Sequence, residues 1–518
     1  MRRTGELAGA VSARTLLACA LALALAAPPA LAQSPGSSPN DWVDGGDADS
    51  GSGLRGTIAA ASSPVLRDGD LDYPREPEAV QDGVMTAGTF EESAGAADPD
   101  LVNQRDPENT AAFEVPPAGH DPLLFQIEDV APSNPDLNRL PRRLFELEPY
   151  DPVGIKVGSF VLFPEVEIGG VWTSNLFASP NAVSDGAIEL LPSGRLVSNW
   201  AAHALEFSAG GDFSFYDDHP DENNRGYRVE ARGRVDVTRR SNLQAVVNRE
   251  RAKESRSAID AATAGPPTYV TQDLAAATLS HRFNRLSLQL TGTITESRYD
   301  IADAGLSDRD GNEAALGVRA SWEFKPTLVA FAAVEGNARA FDRASEVDGL
   351  SRDSDGRRYR AGVSFGDKGE ILRGEVSLGY GVQEFDAPGV PDVDGAILDA
   401  NLAWRLNALT ALMLTASTDF TETTSQDAGG VIEHRLGLEA RHAFRHSLVG
   451  SAGISGLRRS YAGIDVDESE LALKLGLEYF LAREAVVFGR YEHIAFRSDF
   501  ADGSYDADEV RVGLRLRR

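Results

Sequence analysis

From Asp151 to the end of the chain, apolar and polar residues alternate in stretches of about ten, the length of a tilted membrane-crossing strand. Between Leu205 and Phe215 the odd positions read Leu205, Phe207, Ala209, Gly211, Phe213 and Phe215, while the even ones are Glu206, Ser208, Gly210, Asp212 and Ser214. The next stretch sets Tyr227, Val229, Ala231, Gly233, Val235 and Val237 against Arg228, Glu230, Arg232, Arg234, Asp236 and Thr238. A period of two sends successive side chains to opposite faces, so each stretch predicts a strand with one greasy and one polar face. The sorting recurs from Ala314 to Phe324, Tyr359 to Phe365, Leu398 to Leu406, Leu471 to Tyr479 and Val510 to Leu516.

A soluble sandwich would alternate in the same way, with the apolar face as its core. Three features favour a membrane barrel. Tight breaks near Asn284-Arg285, Lys325-Pro326-Thr327, Asn407 to Thr410 and Arg445-His446-Ser447 alternate with longer acidic ones, as short and long loops do around an outer-membrane barrel. Aromatics of the apolar parity sit at two depths: Phe283, Trp322, Phe324, Trp404, Phe444 and Tyr479 just before tight turns, and Trp172, Phe215, Tyr227, Tyr359, Tyr380 and Phe420 near the long loops. Two rows of amphipathic rings suit the two bilayer interfaces. The polar face carries both signs of charge while small residues are frequent on the apolar face, a division that a wet lumen and a hydrocarbon exterior would produce. The expected fold is therefore all-β: a transmembrane antiparallel up-and-down β-barrel of about 16–18 strands, an even number that brings both termini to the periplasmic side. The pattern blurs near Leu243, Val329 and Val487.

The N-terminus changes the picture of what precedes the barrel. Arg2, Arg3 and Arg14, the Leu/Ala run from Thr15 to Ala27 and Ala30-Leu31-Ala32 read as a signal peptide over residues 1–32; the run is too short for a spanning anchor and ends at Pro28-Pro29. Leu16-Leu17-Ala18-Cys19 imitates a lipoprotein box, but the apolar core continues past the cysteine, and cleavage after Ala32 removes the one cysteine of the chain. Residues 33–150 carry 23 Asp/Glu against 7 Lys/Arg in a Pro-, Gly- and Ser-rich setting, an acidic, mostly disordered periplasmic segment by composition. Within it only the apolar Leu123-Leu124-Phe125-Gln126-Ile127 and the basic Arg139-Leu140-Pro141-Arg142-Arg143 look fit to dock on something. The formal net charge of −29 argues against a nucleic-acid partner, since phosphate binding needs clustered cations. The barrel proper is assigned to residues 151–518.

No metalloprotease helix motif, nucleophile elbow, phosphate loop or dinucleotide fingerprint occurs, and no catalytic, metal or cofactor site is expected. His434 and His442 share the parity of Leu436 and Leu438 and read as interfacial residues; His219, among Asp217, Asp218, Asp221 and Glu222, is the one neighbourhood in which a rim hydrolase could place a base, and otherwise belongs to a solvated loop. Loop acids recur as Asp303, Asp308, Asp310 and Glu313, as Asp348, Asp353 and Asp355, and as Asp465, Asp467 and Glu468; Asp308-Arg309-Asp310-Gly311 begins like a calcium loop, but the later spacing fails. The alternatives for these acids are solvation and weak divalent binding at the lipopolysaccharide surface. Inward parity supplies the pore-lining candidates Arg228, Glu230, Arg232, Arg234, Arg319, Arg358, Arg360 and Arg435. These either form cross-strand ion-pair ladders that largely cancel, or leave local positive potential and a weak anion preference.

The segment from Tyr150-Asp151-Pro152-Val153-Gly154-Ile155-Lys156-Val157-Gly158-Ser159-Phe160 through Pro164-Glu165-Val166-Glu167-Ile168-Gly169-Gly170, with Leu196-Val197-Ser198-Asn199-Trp200 and Ala204-Leu205-Glu206-Phe207, resembles the barrel entry of the putative β-barrel porin 2 family. The resemblance covers the barrel from about Tyr150 to Arg518. It implies an outer-membrane barrel of a Gram-negative cell, with some members encoded beside exopolysaccharide export machinery, and no catalytic residues. One departure is that strands of this class usually end in an aromatic read by the assembly machinery, whereas this chain ends Arg517-Arg518. Three functions are weighed: a porin-like channel for small hydrophilic solutes, a structural or export-associated barrel for exopolysaccharide or envelope assembly, and an outer-membrane hydrolase. The partners expected are outer-membrane lipid and lipopolysaccharide, the outer-membrane assembly machinery and exopolysaccharide export components.

Overall fold

The computed structural model of the protein describes residues 150, 152–200, 203–261, 265–300, 307–366, 371–500 and 503–518, together with the backbone of 70–71 and 145–146. The expected signal peptide and nearly all of the acidic segment lie outside the described residues.

Eighteen strands form one closed antiparallel ring, each paired with its neighbours in sequence and the last with the first. They are β1 Phe160–Thr173, β2 Asp185–Ser198, β3 Ala204–Tyr216, β4 Asn224–Thr238, β5 Ser241–Lys253 and β6 Tyr269–Arg282. Next come β7 Leu286–Asp300, β8 Gly311–Lys325, β9 Leu328–Phe341, β10 Ser354–Phe365, β11 Leu372–Phe385 and β12 Val393–Asn407. The ring is completed by β13 Thr410–Glu422, β14 Gly430–Arg445, β15 Leu448–Tyr461, β16 Asp467–Ala482, β17 Ala485–Ser498 and β18 Tyr505–Arg517. A short strand, Ile155–Val157, folds back on the start of β1. Closure runs from Glu509 opposite Thr173 to Arg517 opposite Glu165, which leaves no unpaired strand edge facing lipid.

Connections at one rim are tight, such as 239–240, 326–327, 408–409, 446–447 and 483–484; at the other rim they are long, as in 174–184, 254–268 and 342–353. Both ends of the ring, the start of β1 and the end of β18, sit at the tight rim. The full-length strands β5, β9 and β17 occupy the three places where the alternation blurs.

Outward parity carries the exposed apolar side chains, including Leu290, Leu316, Leu378, Leu436, Leu475 and Val512, and opposite parity carries buried charged ones. The rows of aromatics appear on the outside as well: Phe283, Trp322, Phe324, Trp404, Phe444 and Tyr479 at the tight rim, and Trp172, Phe215, Tyr227, Tyr359 and Tyr380 toward the long loops. Phe420 is the correction. It is only 2% exposed and packs on Val393 and Ile397. The β12–β13 ladder stops at Ala400 opposite Ala416, so beyond that point β13 keeps a backbone ladder only with β14, and the Phe420 ring packs toward Val393 and Ile397 in the space this leaves.

Candidate functional site

The inward wall is built from long charged side chains that pair along and across strands. On β4, Arg232 bonds Glu230, Arg234 Nε lies 3.1 Å from Asp236 Oδ1, and Arg228 Nε reaches Asn248 Oδ1 at 3.4 Å and Glu250 at 3.8 Å on β5. Arg319 on β8 grips Glu375 on β11 with two nitrogens, at 2.9 and 2.6 Å, and lies over the Phe331 ring at 3.4 Å. Arg360 reaches Asp399 at 3.0 Å, Arg435 reaches Glu433 at 2.7 Å and Asp419 at 3.5 Å, and Arg358 lies 5.5 Å from the centre of the Phe420 ring. All eight pore-lining candidates thus lie on the inner face; the structure joins them in short chains along the wall rather than in one cluster. Bidentate guanidinium–carboxylate contacts of this kind fix side-chain geometry as well as neutralise charge.

Two wall features escape a reading by parity of single strands. Across β5, β6 and β7 the wall is almost free of charge: Gln244, Asn248, Thr278, Gln289, Thr291 and Thr293 are all buried there, with Thr278 and Thr291 hydrogen-bonded to each other at 3.0 Å. At the seam, Arg515 on β18 donates to Glu167 on β1 at 2.6 Å and to Glu478 on β16 at 3.1 Å; Glu167 also accepts from Arg490 at 3.2 Å, and Glu478 lies 3.4 Å from Arg441. One network therefore ties β14, β16, β17, β18 and β1 together. Alternation on β1 and β18 signals that Glu167 and Arg515 face inward; their meeting depends on ring closure.

The first part of the long connection after β5, residues 254–261, does not project outward but crosses the mouth. At its root, Arg256 and Lys253 both bond Glu222 of loop 217–223, at 2.5 and 2.6 Å. Glu254 receives Arg309 of loop 301–310 at 2.5 Å, and the same guanidinium reaches the carbonyls of Ile259 and Asp260 at 3.1 and 3.3 Å. The tip then reaches the far wall. Asp260, whose φ of 58° is left-handed, accepts from Thr423 Oγ1 at 2.8 Å and from the Thr424 amide at 2.7 Å, and Arg459 on β15 donates to the Ser257 carbonyl at 2.6 Å. Ile259 is buried with Ala428, Val431 and Tyr461. Since β5 and β13 lie almost diametrically opposite in the ring, this loop spans the opening.

Of the residues weighed for other chemistry, Asp303 lies outside the described residues, and several of the others have structural partners. His219 Nδ1 lies 2.9 Å from the buried Asp185 carboxylate, which also accepts from the His219 and Asp218 amides, and the ring meets Phe177 edge-on at 5.3 Å. This pins loop 217–223 to β2. Among the loop acids, Asp310 accepts from the Tyr299 amide at 2.7 Å, Asp308 from the Glu346 amide at 2.9 Å and Asp353 from the Phe341 amide at 2.7 Å, while Asp348 bonds Arg352 at 2.6 Å. The first three tie separate loop and strand-end segments together, and Asp348 pairs within its own loop. Among the described residues, no group of three His, Cys, Asp or Glu side chains is arranged to hold a metal ion. His434 and His442 face out, the latter against Phe444 at 4.8 Å.

A closed antiparallel ring with a greasy exterior, two aromatic rows and a polar inner wall defines an outer-membrane β-barrel of the porin-like class. The chain belongs to the putative β-barrel porin 2 family, whose signature matches residues 148–518. Among solved structures it is similar to OccK3 (OpdO) of Pseudomonas aeruginosa, at 16% identity over 69% of this chain and 95% of that one, with a TM-score of 0.38. It is also similar to OpdK of the same organism, solved with vanillate, at 14% identity over 69% and 98% of the two chains and a TM-score of 0.37. The alcaligin outer-membrane receptor FauA of Bordetella pertussis matches at 11% identity over 69% and 76%, with a TM-score of 0.35. No curated protein matches the chain.

Proposed function

We propose that this barrel passes small hydrophilic solutes across the outer membrane, with the tight rim and both chain ends on the periplasmic side. The observation that carries this reading is the closed ring of eighteen strands with charged side chains on its inner face, because a ring of that size leaves room for an aqueous interior. Loop 254–268 narrows the outer mouth, which favours small solutes over a polysaccharide chain. The inner wall is a binding and sieving surface, and no step of bond-making is assigned to it. Purified protein in planar bilayers at 1 M KCl tests the proposal: discrete ohmic current steps are expected. Silence at every voltage, both in the full chain and in a variant lacking residues 33–149, would overturn it.

The pairing of the wall also bears on selectivity. Each candidate arginine lies near a carboxylate or ring, so the local positive potential is largely cancelled, and ion preference should be weak, with permeability ratios within about threefold of unity. Reversal potentials across a tenfold salt gradient measure this. Strong selectivity of either sign, retained after Arg228, Arg232 and Arg234 are neutralised, would contradict it.

A further inference from the structure

The charges of the inner face are sorted by depth. Each strand divides at its midpoint into a half nearer the tight rim and a half nearer the long loops, and inward parity picks out the side chains that face the lumen. Apart from the bulge-shifted Lys325 and Arg445 and the central Arg511, the inward positions of the tight-rim halves hold twelve arginines and seven Asp or Glu. Those of the long-loop halves hold fifteen Asp or Glu and six Lys or Arg. Ion pairing cancels charge one for one, so whatever the partners, a remainder is left that is positive toward the tight rim and negative toward the long loops.

Individual contacts follow the same division. Near the long loops one cation is shared by two acids: Arg459 lies 3.1 Å from both Glu433 and Glu468, and Arg339 bonds Glu422 and lies 3.3 Å from Glu313. Near the tight rim Glu478 is shared by Arg441 and Arg515, at 3.4 and 3.1 Å. Low-dielectric walls focus fixed charge into the space they enclose, so two zones of opposite sign set up a field along the barrel axis. An ion of either sign is drawn in at one end and repelled at the other, and zones in series therefore favour neither. A molecule with one positive and one negative end escapes this conflict when its cationic end points to the long loops and its anionic end to the tight rim. Its gain grows with the distance between its charges. Those of a single amino acid are too close together to use the field, whereas the ends of an extended tripeptide stand about 10 Å apart in a band about 25 Å tall.

We propose that the lumen is a bipolar pore whose substrates are short, extended zwitterions such as unblocked oligopeptides, threaded with the anionic end toward the tight rim. The proposal rests on the channel reading and narrows its substrate class.

The test loads vesicles containing the full chain with triglycine, N-acetyltriglycine or triglycinamide, which are similar in size but carry both charges, only the negative one or only the positive one. At about 0.01 M salt, where screening acts over about 30 Å, triglycine should leave at least about threefold faster than either blocked form. At about 1 M salt, where the screening length falls to about 3 Å, that lead should vanish. The triple variant Asp212→Asn, Glu250→Gln, Glu470→Gln removes three acids of the long-loop zone and should narrow the lead over N-acetyltriglycine; should it fail to fold, the comparison in the unaltered chain still decides. Equal efflux of the three peptides, faster efflux of a blocked form, or a lead undiminished at high salt overturns the proposal and leaves the channel standing. So does retention of all three peptides by a barrel that carries current in planar bilayers. Retention without any current would remove the channel and the proposal together.

Discussion

Replacing Arg515 with alanine should cost the folded barrel about 3 kcal/mol, at the low end of the range for breaking a buried ion pair. Arg515 is fully buried at the seam and holds Glu167, Glu478 and, at 3.6 Å, Glu165. Its loss leaves buried carboxylates short of a partner, but Glu167 keeps Arg490 and Glu478 keeps Arg441, which is why the loss stays at the low end. The matched control is Arg357→Ala, on an exposed pair with Glu384 whose arginine is 62% accessible, where a change of about 0–1 kcal/mol is expected. Denaturant unfolding in lipid vesicles measures both. Equal losses at the two positions would mean that the seam network contributes nothing special to closure.

The second large effect lies on the outer face. Leu475 stands near the middle of β16, beside Ala452 and Tyr491, and is 46% exposed on the lipid side. Leu475→Arg should cost about 2–4 kcal/mol, the penalty for a cation on the lipid face near the midplane. Its neighbour Lys474 points inward, with Nζ 3.0 Å from Glu492, so Lys474→Glu would oppose two acids and is not a neutral control. Lys474→Gln removes one partly exposed pair and should cost about 1 kcal/mol or less. If refolding in vesicles showed the two variants equally impaired, the assignment of lipid and lumen faces would be wrong.

The faces of the strands were legible because lipid outside and charge inside impose the simplest periodicity a chain can carry. Where that contrast disappears, so does the signal. At β9 the inward positions Val329, Phe331 and Ala333 are apolar and buried, and at β17 Val486 and Phe488 are too, so both faces of these strands read alike. Phe420 has the parity of an outer aromatic, but parity assumes a ladder on both sides, and the one to β12 ends four residues before it. The eight candidate wall residues follow from local alternation, and so do pairs two residues apart such as Arg234 with Asp236, whereas the long-range partners depend on ring geometry: Arg319 and Glu375 lie three strands apart, and Arg515 and Glu167 meet only because the last strand returns to the first. Nothing in the texture of 254–268 distinguishes an inward crossing from an outward loop, since its anchors, Glu222, Arg309, Thr423 and Arg459, are scattered over the chain.

That crossing loop has a mechanical meaning as well as a steric one. A thin-walled tube of hydrogen-bonded strands bends easily in cross-section, and lateral pressure from the surrounding leaflet would flatten it toward an ellipse. By joining loop 217–223 on one side to Thr423, Thr424 and Arg459 on the other, residues 254–261 act as a tie rod across the diameter, fixing the long-loop rim against ovalisation while the tight rim relies on its short turns.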